Sequence, residues 1–278
     1  MTTIGFIYST QKPTKEDEIF MKVAKEKKIE IVPFNMDEEL KEDVIREKLS
    51  KCDLVFNNSA DPIAIEFAKT AEALGKKTVD STERTYYMED KWIFYIKCRE
   101  HGIPVPKTTL LSENLNSIRN ELKNFNCWPV ILKRVVGEQG QYVERAENAD
   151  EAINIIKKFW DNDERIPIIA QEFIKSDAFR VTVVGGKILQ GAIKNAPGWK
   201  ATAVYSKKLE SFPIDEKLEK LINKLMKFVK IDVCGIDFLK KDDEWVVLEV
   251  NAQPSLEFLD EETEKVVGIV LDFLKASV

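Results

Sequence analysis

The stretch that decides the fold is CGIDFLKKDDEWVVLEVNAQPS, Cys234–Ser255. Two apolar runs in this stretch, Gly235–Lys240 and Trp245–Val250, flank the polar segment Lys241–Glu244. Apolar runs on either side of a short polar turn are typical of a β-hairpin. The second run is apolar at nearly every position, as expected for a strand that is buried on both faces. The stretch therefore predicts a hairpin whose second strand lies in the protein interior.

Three oxygen-bearing side chains belong to this hairpin. Side chains alternate along a strand, so Glu249 and Asn251 point to the same face, and Asp237 lies in the middle of the partner strand. Burying carboxylates is costly unless a charge answers them, and no Lys or Arg lies between Val246 and Pro254. Such oxygens suit Mg²⁺ shared with phosphate. The pattern favours a metal site over the alternative, which is acids at strand ends that face water.

Length and composition limit the class of protein. A chain of 278 residues can form two or three lobes. The net charge of -6 argues against a nucleic-acid partner, and the single histidine argues against a Ser/His/Asp triad. Four widely spaced cysteines are typical of reduced thiols. Because the N-terminus lacks a signal-peptide pattern and no run is long enough to span a membrane, we predict a soluble cytoplasmic protein with no membrane partner.

Residues 1–90 alternate between short apolar runs and helical patterns. This alternation predicts a parallel sheet with helices on both faces. The turn after the first run lacks a Gly-x-Gly-x-x-Gly motif, so we predict a small substrate, and not a dinucleotide, near the carboxyl ends of the strands. The predicted strands are Ile4–Tyr8, Ile29–Phe34, Asp53–Asn57 and Lys77–Val79.

Three basic residues are candidates for phosphate binding. Lys133 ends a buried run just before the glycine-bearing loop Gly137–Gly140, where an ammonium can pair with phosphate. Lys91 lies in the helical pattern Tyr86–Gly102, and Arg180 begins a strand from which it could stabilise a transferring phosphoryl group. The alternatives are solvated lysines and a surface salt bridge.

Five motifs follow one another from about residue 85 to the end of the chain. They are Asp90-Lys91, Pro129–Lys133 with Gly137–Gly140, Gln171–Ile174 with Arg180–Lys187, Gly235–Asp237, and Leu248–Pro254. Their order and spacing resemble the RimK-type carboxylate–amine ligases of the ATP-grasp superfamily, which include α-L-glutamate ligases and LysX-like enzymes.

The resemblance implies an α/β protein made of α+β lobes. Residues 1–90 would form a doubly wound, parallel-sheet domain that precedes the ATP-grasp fold. Residues 91–170 would form the central ATP-grasp lobe, and residues 171–278 the C-terminal lobe with the metal site.

The resemblance also assigns roles to individual residues. Lys91 and Lys133 bind ATP phosphates, and Arg180 steadies the transferred phosphoryl group, with Lys194 and Lys200 as further catalytic candidates. Asp237, Glu249 and Asn251 hold two Mg²⁺ ions, which Mn²⁺ could replace. The remaining nucleotide-binding candidates are Gly137, Gln139 and Gly140 in the loop, Gln171, Glu172, Phe173 and Ile174 in a hinge against adenine, and Asp177 at the ribose.

The implied reaction is ATP-dependent activation of a carboxylate to an acyl phosphate, followed by amide formation with an amine. The amine is expected to be an amino acid such as glutamate, and the acceptor a small molecule, a coenzyme, a protein tail or a carrier protein. The alternatives are a kinase or carboxylate-activating enzyme without an amine, and an inactive nucleotide-binding module. A homodimer or homotetramer is a family expectation.

Departures from the family pattern cluster near the expected substrate site. Tyr142 replaces a further glycine of the loop, and Ser255 replaces the glycine after the metal-site proline. Trp199-Lys200-Ala201-Thr202 occupies the place of an Arg-x-Asn pattern, with Lys200 as the replacement for arginine. These departures leave ATP use in place and leave the acceptor open. The nearby lysines are either a carrier-binding surface or a solvated face; they are Lys187, Lys194, Lys200, Lys207 and Lys208.

Overall fold

The computed structural model describes residues 1–10, 12–137, 141–160, 165–195, 198–200, 208–256 and 262–278. In this part of the chain the strands form three sheets of four, five and four strands. One sheet is parallel and the other two are antiparallel. The predicted α/β class with α+β lobes is confirmed.

The parallel sheet is built from the beginning of the chain. Its strands are β1 (Thr3–Tyr8), β2 (Glu30–Asn35), β3 (Leu54–Asn57) and β4 (Thr78–Val79). They lie in the order β2-β1-β3-β4, so β1 is a central strand, and all three pairings are parallel. The four predicted strands are all present, with boundaries that differ by a residue or so.

Helices cover both faces of this sheet. They are α1 (Lys15–Glu26), α2 (Glu42–Ser50) and α3 (Pro62–Ala73). Neighbouring residues of β1 point to opposite faces, so Phe6 packs with α1 whereas Ile7 packs with α2 and α3. The helical layers therefore follow from the period-two pattern of the strand.

The single helix predicted over Tyr86–Gly102 is wrong, because two helices occupy this region. They are α4 (Thr82–Glu89) and α5 (Lys91–Glu100). Asp90 between them has an extended backbone, with ψ of 105°, and its carboxylate accepts hydrogen bonds from the backbone N–H groups of Trp92 and Ile93. An aspartate that caps one helix cannot continue the preceding one, so Lys91 becomes the first residue of α5.

The second sheet is antiparallel, and two helices pack on one of its faces. Its core joins Leu122, Leu132, Ile156 and Ala170. Its strands are β5 (Thr108–Leu110), β6 (Val130–Arg134), β7 (Val143–Ala146) and β8 (Ile168–Glu172), in the order β5-β8-β6-β7, and its helices are α6 (Leu115–Phe125) and α7 (Ala149–Phe159).

The third sheet contains both strands of the hairpin predicted from the runs Gly235–Lys240 and Trp245–Val250. The predicted hairpin is confirmed, and its turn residues Asp242 and Asp243 have φ of 50° and 63°, as a tight two-residue hairpin turn requires. The strands are β9 (Ala178–Val184), β10 (Lys187–Asn195), β11 (Lys208–Ser211), β12 (Val233–Lys241) and β13 (Glu244–Asn251), in the order β11-β10-β9-β12-β13, with α8 (Glu216–Val229) after β11.

Two helices pack far from their neighbours in sequence. Phe94 and Cys98 of α5 lie in the core of the third sheet, beside Val181 and Ile236. The last helix, α9 (Thr263–Ala276), packs beside α1 on the first sheet. The sheets thus hold segments from both ends of the chain, and the domain boundaries at residues 90 and 170 stay a prediction. Among the helices of the described residues, none has the length and apolar character that crossing a membrane requires.

Candidate active site

A cavity of about 610 Å³ lies where the three sheets meet. Its lining includes the end of β1 at Tyr8, the strand residues Lys133 and Gln171 of the second sheet, and Asp237 and Glu249 of the third sheet. A site with one wall from each sheet can hold more than one substrate, because separate elements position separate groups. The residues predicted from the hairpin are therefore part of a larger site.

The hairpin brings the three predicted metal ligands together. Asp237 is paired with Glu249, and Gly235 with Asn251, across β12 and β13. Asp237, Glu249 and Asn251 all line the cavity, and Asp237 is only 4% exposed. The Asn251 amide N–H group is 3.4 Å from the Gly235 carbonyl oxygen, an orientation that leaves the amide oxygen able to meet a cation.

A β-bulge sets the face on which these ligands lie. Phe238 is paired with Val247, but the preceding residue, Asp237, is paired with Glu249, so Leu248 is an extra residue in β13. Val247 lies in the core on the opposite side of the sheet. Strict alternation would therefore place Glu249 in that core. The bulge shifts the phase by one residue and turns Glu249 into the cavity.

The positive charge that pairs with the Asp237 carboxylate lies on a neighbouring strand. Arg180 on β9 is the cross-strand partner of Asp237 on β12. Its Nε and Nη2 atoms donate to the two carboxylate oxygens at 2.7 and 2.8 Å. Burial alone would lower the pKa of Arg180, but the charge and hydrogen bonds of Asp237 outweigh burial and raise it. The sequence could not reveal this pair, because its members lie 57 residues apart.

Lys133 is a buried ammonium at the centre of the cavity wall. Its side chain donates to Gln171 Oε1 at 2.8 Å, and the Gln171 amide in turn donates to Thr108 Oγ1 at 3.0 Å. Burial lowers the pKa of Lys133 to about 8, although the charge of Glu249 opposes that shift. A lysine held in this way is positioned to meet an anion that enters the cavity.

Lys91 secures the start of the glycine-bearing loop. Its Nζ atom donates to the Gly137 carbonyl oxygen at 2.8 Å, and its backbone N–H group donates to the Val135 carbonyl oxygen at 2.9 Å. Lys91 and Gly137 both line the cavity. Gln139 and Gly140, which were predicted to cover phosphates, lie outside the described residues.

Tyr142 follows this loop in the sequence. Its φ of 50° lies in the left-handed region that favours glycine, which accounts for the glycine expected here. The Arg134 guanidinium lies 3.4 Å from the centroid of the Tyr142 ring, and the ring meets Phe159 edge-on. This stack provides contacts that glycine could not make.

The predicted hinge residues Gln171, Glu172, Phe173 and Ile174 all line the cavity. The Glu172 carboxylate pairs with Lys241 and accepts from the Lys107 backbone N–H group at 3.1 Å. Glu172 therefore joins the second sheet to the third. The Phe173 ring lies 4.5 Å from the guanidinium carbon of Arg145.

Asp177, predicted to reach the ribose, lies at the surface beside the cavity lining, and its role stays a prediction. Its side chain is exposed, and it is not among the residues that line the cavity. Ser176 lines the cavity, and its hydroxyl donates to the Asp177 carbonyl oxygen and accepts from the Lys240 backbone N–H group. Of these two neighbouring residues, Ser176 therefore lines the cavity and Asp177 does not.

Of the two lysines proposed for catalysis, the structure describes the side chain of Lys200 and not that of Lys194. Lys200 lines the cavity and forms an ion pair with Glu144 of β7 at 2.9 Å. The pair connects the segment after β10 with the second sheet. Lys194 lies on β10, and its side chain lies outside what the structure describes.

The cavity wall from the first sheet was not identified residue by residue from the sequence. It contains the hydroxyls of Ser9, Thr10 and Ser59 near the carboxyl ends of β1 and β3, and the carboxylate of Glu16 at the start of α1. Ser59 Oγ donates to Ser9 Oγ at 3.0 Å, and the buried Thr10 Oγ1 has no hydrogen-bond partner among the residues that the structure describes. The signal in the sequence was the strand-end position alone, which predicted a small substrate but no particular side chain.

The donors present fit a hard cation. Asp237, Glu249 and Asn251 offer oxygen atoms only, and the buried Lys133 and the partly buried Arg180 can meet phosphate oxygens beside them. Across the described residues, no three His, Cys, Asp or Glu side chains form a metal cluster by themselves. The oxygen set therefore suits a metal that is shared with a phosphorylated substrate.

The fold and the site together define an ATP-grasp protein, and comparisons with known proteins agree. A solved RimK-domain ATP-grasp protein from Sphaerobacter thermophilus superposes with a TM-score of 0.80 over 98% of this chain and 99% of its own, at 15% identity. The profile of the RimK-like ATP-grasp domain matches residues 88–273. This chain belongs to the RimK-like ATP-grasp family.

Two relatives indicate the class of reaction. A probable alpha-L-glutamate ligase of Psychromonas ingrahamii is 29% identical over 222 residues, which cover 75% of this chain and 70% of that protein. The alpha-aminoadipate–LysW ligase LysX of Sulfurisphaera tokodaii is 27% identical over 215 residues, which cover 75% of each chain. The chain is accordingly an ATP-dependent ligase of the class that forms C–N bonds.

Proposed function

We propose that this enzyme joins an amino acid, with glutamate as the first candidate, to a carboxylate of a second molecule through an acyl phosphate. One observation carries the proposal. Asp237, Glu249 and Asn251, the Arg180 side chain, which is 11% exposed, and the buried Lys133 all face one cavity. Phosphoryl transfer depends on positioning and charge neutralisation more than on a protein nucleophile. The site therefore contains the kinds of groups that this reaction needs.

The basic residues divide the work at the phosphates. Lys133 and Lys91 neutralise phosphate charge from the second-sheet wall, and Lys91 also donates to the Gly137 carbonyl oxygen. Arg180, fixed by its two bonds to Asp237, stabilises the charge that develops on the transferred group. Asp237, Glu249 and Asn251 would hold Mg²⁺, which supplies Lewis-acid neutralisation of the phosphates.

The bond changes are those of two successive substitutions. A carboxylate oxygen of the first substrate attacks the γ-phosphorus of ATP, and ADP leaves. The amine nitrogen of the second substrate then attacks the acyl carbon, and inorganic phosphate leaves.

The hydroxyl-rich wall of the first sheet supports a role in holding the carboxylate or amine substrate. The acceptor is a small molecule, a coenzyme, a protein tail or a carrier protein, and the names of the two relatives favour amino-acid chemistry at this site. Binding of two Mg²⁺ ions, a cytoplasmic location and a homodimer or homotetramer remain predictions.

The test is ADP release from Mg-ATP with a matrix of amino acids and carboxylate acceptors. We expect release to require one amine–acid pair and the product mass to equal the sum of the two substrates less one water. Glu249→Ala should reduce the rate by about 100-fold, as loss of one electrostatic stabiliser does in other enzymes. Glu244→Ala is the matched control, because Glu244 lies on the same strand, is exposed and pairs with Lys217.

Two results would contradict the proposal. Release of ADP that depends on a carboxylate but on no amine would indicate a kinase or carboxylate-activating enzyme. Binding of Mg-ATP without turnover for any pair, including protein acceptors taken from the source cell, would indicate a nucleotide-binding module.

A further inference from the structure

Glu16 is a buried carboxylate that joins three segments of the chain. It lies at the start of α1 and is 7% exposed. Its Oε1 atom accepts from Asn58 Nδ2 at 3.1 Å. Its Oε2 atom accepts from Ser255 Oγ at 2.9 Å and from the Leu256 backbone N–H group at 2.8 Å. The same side chain therefore contacts the loop after β3 and the loop after β13.

The loop after β13 continues directly from the proposed metal ligands. Asn251 is the last residue of β13, and Ala252, Gln253, Pro254 and Ser255 follow it along the cavity wall. Leu256 is 1% exposed and lies in the core of the first sheet. The far end of the loop is thus anchored in the first sheet, whereas its near end is anchored in the third.

Pro254 connects this loop with the Arg180–Asp237 pair through packing contacts. A Cβ atom placed on Gly235 would lie 3.1 Å from Pro254 Cβ and 3.3 Å from Arg180 Cδ. Pro254, Gly235 and the Arg180 side chain are therefore in close contact. A shift of the loop would change the packing around the guanidinium that holds Asp237.

We propose that Glu16 is a positioning residue, which with Ser255 fixes the loop 252–256 and thereby the ligand geometry at Asp237 and Asn251. The hydroxyl of Ser255 supplies one of the bonds, which a residue without a hydroxyl could not donate. The carboxylate acts through the loop and touches no reacting atom. The inference rests on the proposed metal role of the hairpin residues.

The test measures binding of the non-hydrolysable ATP analogue AMPPNP by calorimetry, once with Mg²⁺ and once with EDTA. Loss of an outer hydrogen bond at a metal site weakens metal affinity by roughly 10-fold or more. We expect Glu16→Ala and Ser255→Ala to weaken AMPPNP binding in Mg²⁺, by about tenfold for Glu16→Ala, and to leave binding in EDTA unchanged. Glu16→Gln, which keeps one acceptor oxygen, should restore part of the loss.

Asp80→Asn is the matched control. The Asp80 carboxylate is also buried and also joins two sheets, because it accepts from the backbone N–H groups of Asp232 and Val233 at 2.6 and 2.9 Å. It does not line the cavity. We expect Asp80→Asn to lower the thermal unfolding temperature without changing the ratio of the two AMPPNP affinities.

The inference is overturned if Glu16→Ala and Ser255→Ala leave the Mg²⁺-dependent gain in affinity at its wild-type value. It is also overturned if Asp80→Asn reduces that gain as much as they do, because the effect would then be one of general stability. Ser255→Ala removes a single hydroxyl and keeps the test available if Glu16→Ala does not fold. Wild-type binding that does not respond to Mg²⁺ would instead contradict the proposed metal role itself.

Discussion

Lys133 shows how burial changes the chemistry of one residue. The sequence pattern predicted that Lys133 ends a buried strand. It did not predict the hydrogen bond to Gln171 or the nearby charge of Glu249, because both residues belong to other strands. Burial disfavours the ammonium, so the pKa of Lys133 is lowered to about 8. The residue is therefore close to losing its charge under mildly alkaline conditions.

We predict that AMPPNP affinity falls as the pH rises through about 8, because the neutral amine of Lys133 no longer attracts phosphate. Between a pH of about 8 and the ordinary pKa of lysine, Lys133 binds its proton more strongly in the unfolded chain than in the folded protein. The contribution of Lys133 to the free energy of unfolding therefore increases as the pH rises through this range. Calorimetric titrations of AMPPNP between about pH 7 and about pH 9 measure the change in affinity.

Lys133→Gln should bind AMPPNP weakly at every pH and should lack the step near pH 8. Lys123→Gln is the control, because Lys123 is exposed on α6 and should keep the wild-type profile. A step of the same size in the Lys133→Gln protein would show that another group titrates.

At the scale of secondary structure, the junction between α4 and α5 determines where Lys91 lies. The Asp90 carboxylate accepts two backbone N–H bonds at the start of α5. These bonds end α4 and set the direction of the first turn of α5. Lys91 then reaches the Gly137 carbonyl oxygen from that turn.

We predict that Asp90→Ala lowers the free energy of unfolding by about 1 kcal/mol, the usual cost of a lost N-cap, and also weakens AMPPNP binding. Asp61→Ala is the control, because Asp61 holds the N-cap position of α3 without a side-chain capping bond. Urea unfolding and calorimetry measure the two effects. Equal losses of stability in both variants would contradict the role given to the Asp90 cap.

At the scale of the whole molecule, the two ends of the chain share one core. Val267, Val270 and Leu271 of α9 pack with Ile4 and Phe6 of β1 in the first sheet. An ion pair between Lys27 and Asp272 at 2.8 Å lies on the exposed side of the same contact. The first sheet therefore depends on the last helix for a complete hydrophobic core.

We predict that Leu271→Ala lowers the free energy of unfolding by about 2–5 kcal/mol, as other leucine truncations in cores do. Leu271 is fully buried, whereas Val278 is 62% exposed, so Val278→Ala should change stability by less than about 0.5 kcal/mol. Tryptophan fluorescence in a urea titration measures both. A small effect of Leu271→Ala would mean that the first sheet is stable without α9.

Patterns that repeat within a few residues were predicted well. The alternation in residues 1–90 gave the parallel sheet and its helices, and the run around Glu249 gave the hairpin. The order of the motifs identified the ATP-grasp family, which the match over residues 88–273 confirms. Period-two and period-3.6 patterns are written locally in a sequence, so local interpretation recovers them.

Features set by a single capping bond or by a one-residue change of register were not predicted. The helix over Tyr86–Gly102 was wrong because the Asp90 cap interrupts it, and Ser176 lines the cavity where Asp177 was expected. The bulge at Leu248 was not predicted either. Local propensity cannot resolve such cases, because a capping bond or a one-residue bulge reverses the direction of a side chain without changing the pattern around it.

The sequence by itself determined the α/β class, the hairpin that contains Asp237 and Glu249, and the family. The metal role of the hairpin and the phosphate role of Lys91 and Lys133 stay predictions. Only the tertiary structure decided that Arg180 forms an ion pair with Asp237 and that the last helix completes the hydrophobic core of the first sheet. It also decided that Ser255 donates a hydrogen bond to Glu16. The physical reason is that hydrogen bonds and burial depend on distance in space. Residues as far apart as Glu16 and Ser255 leave no periodic trace of their contact in the chain.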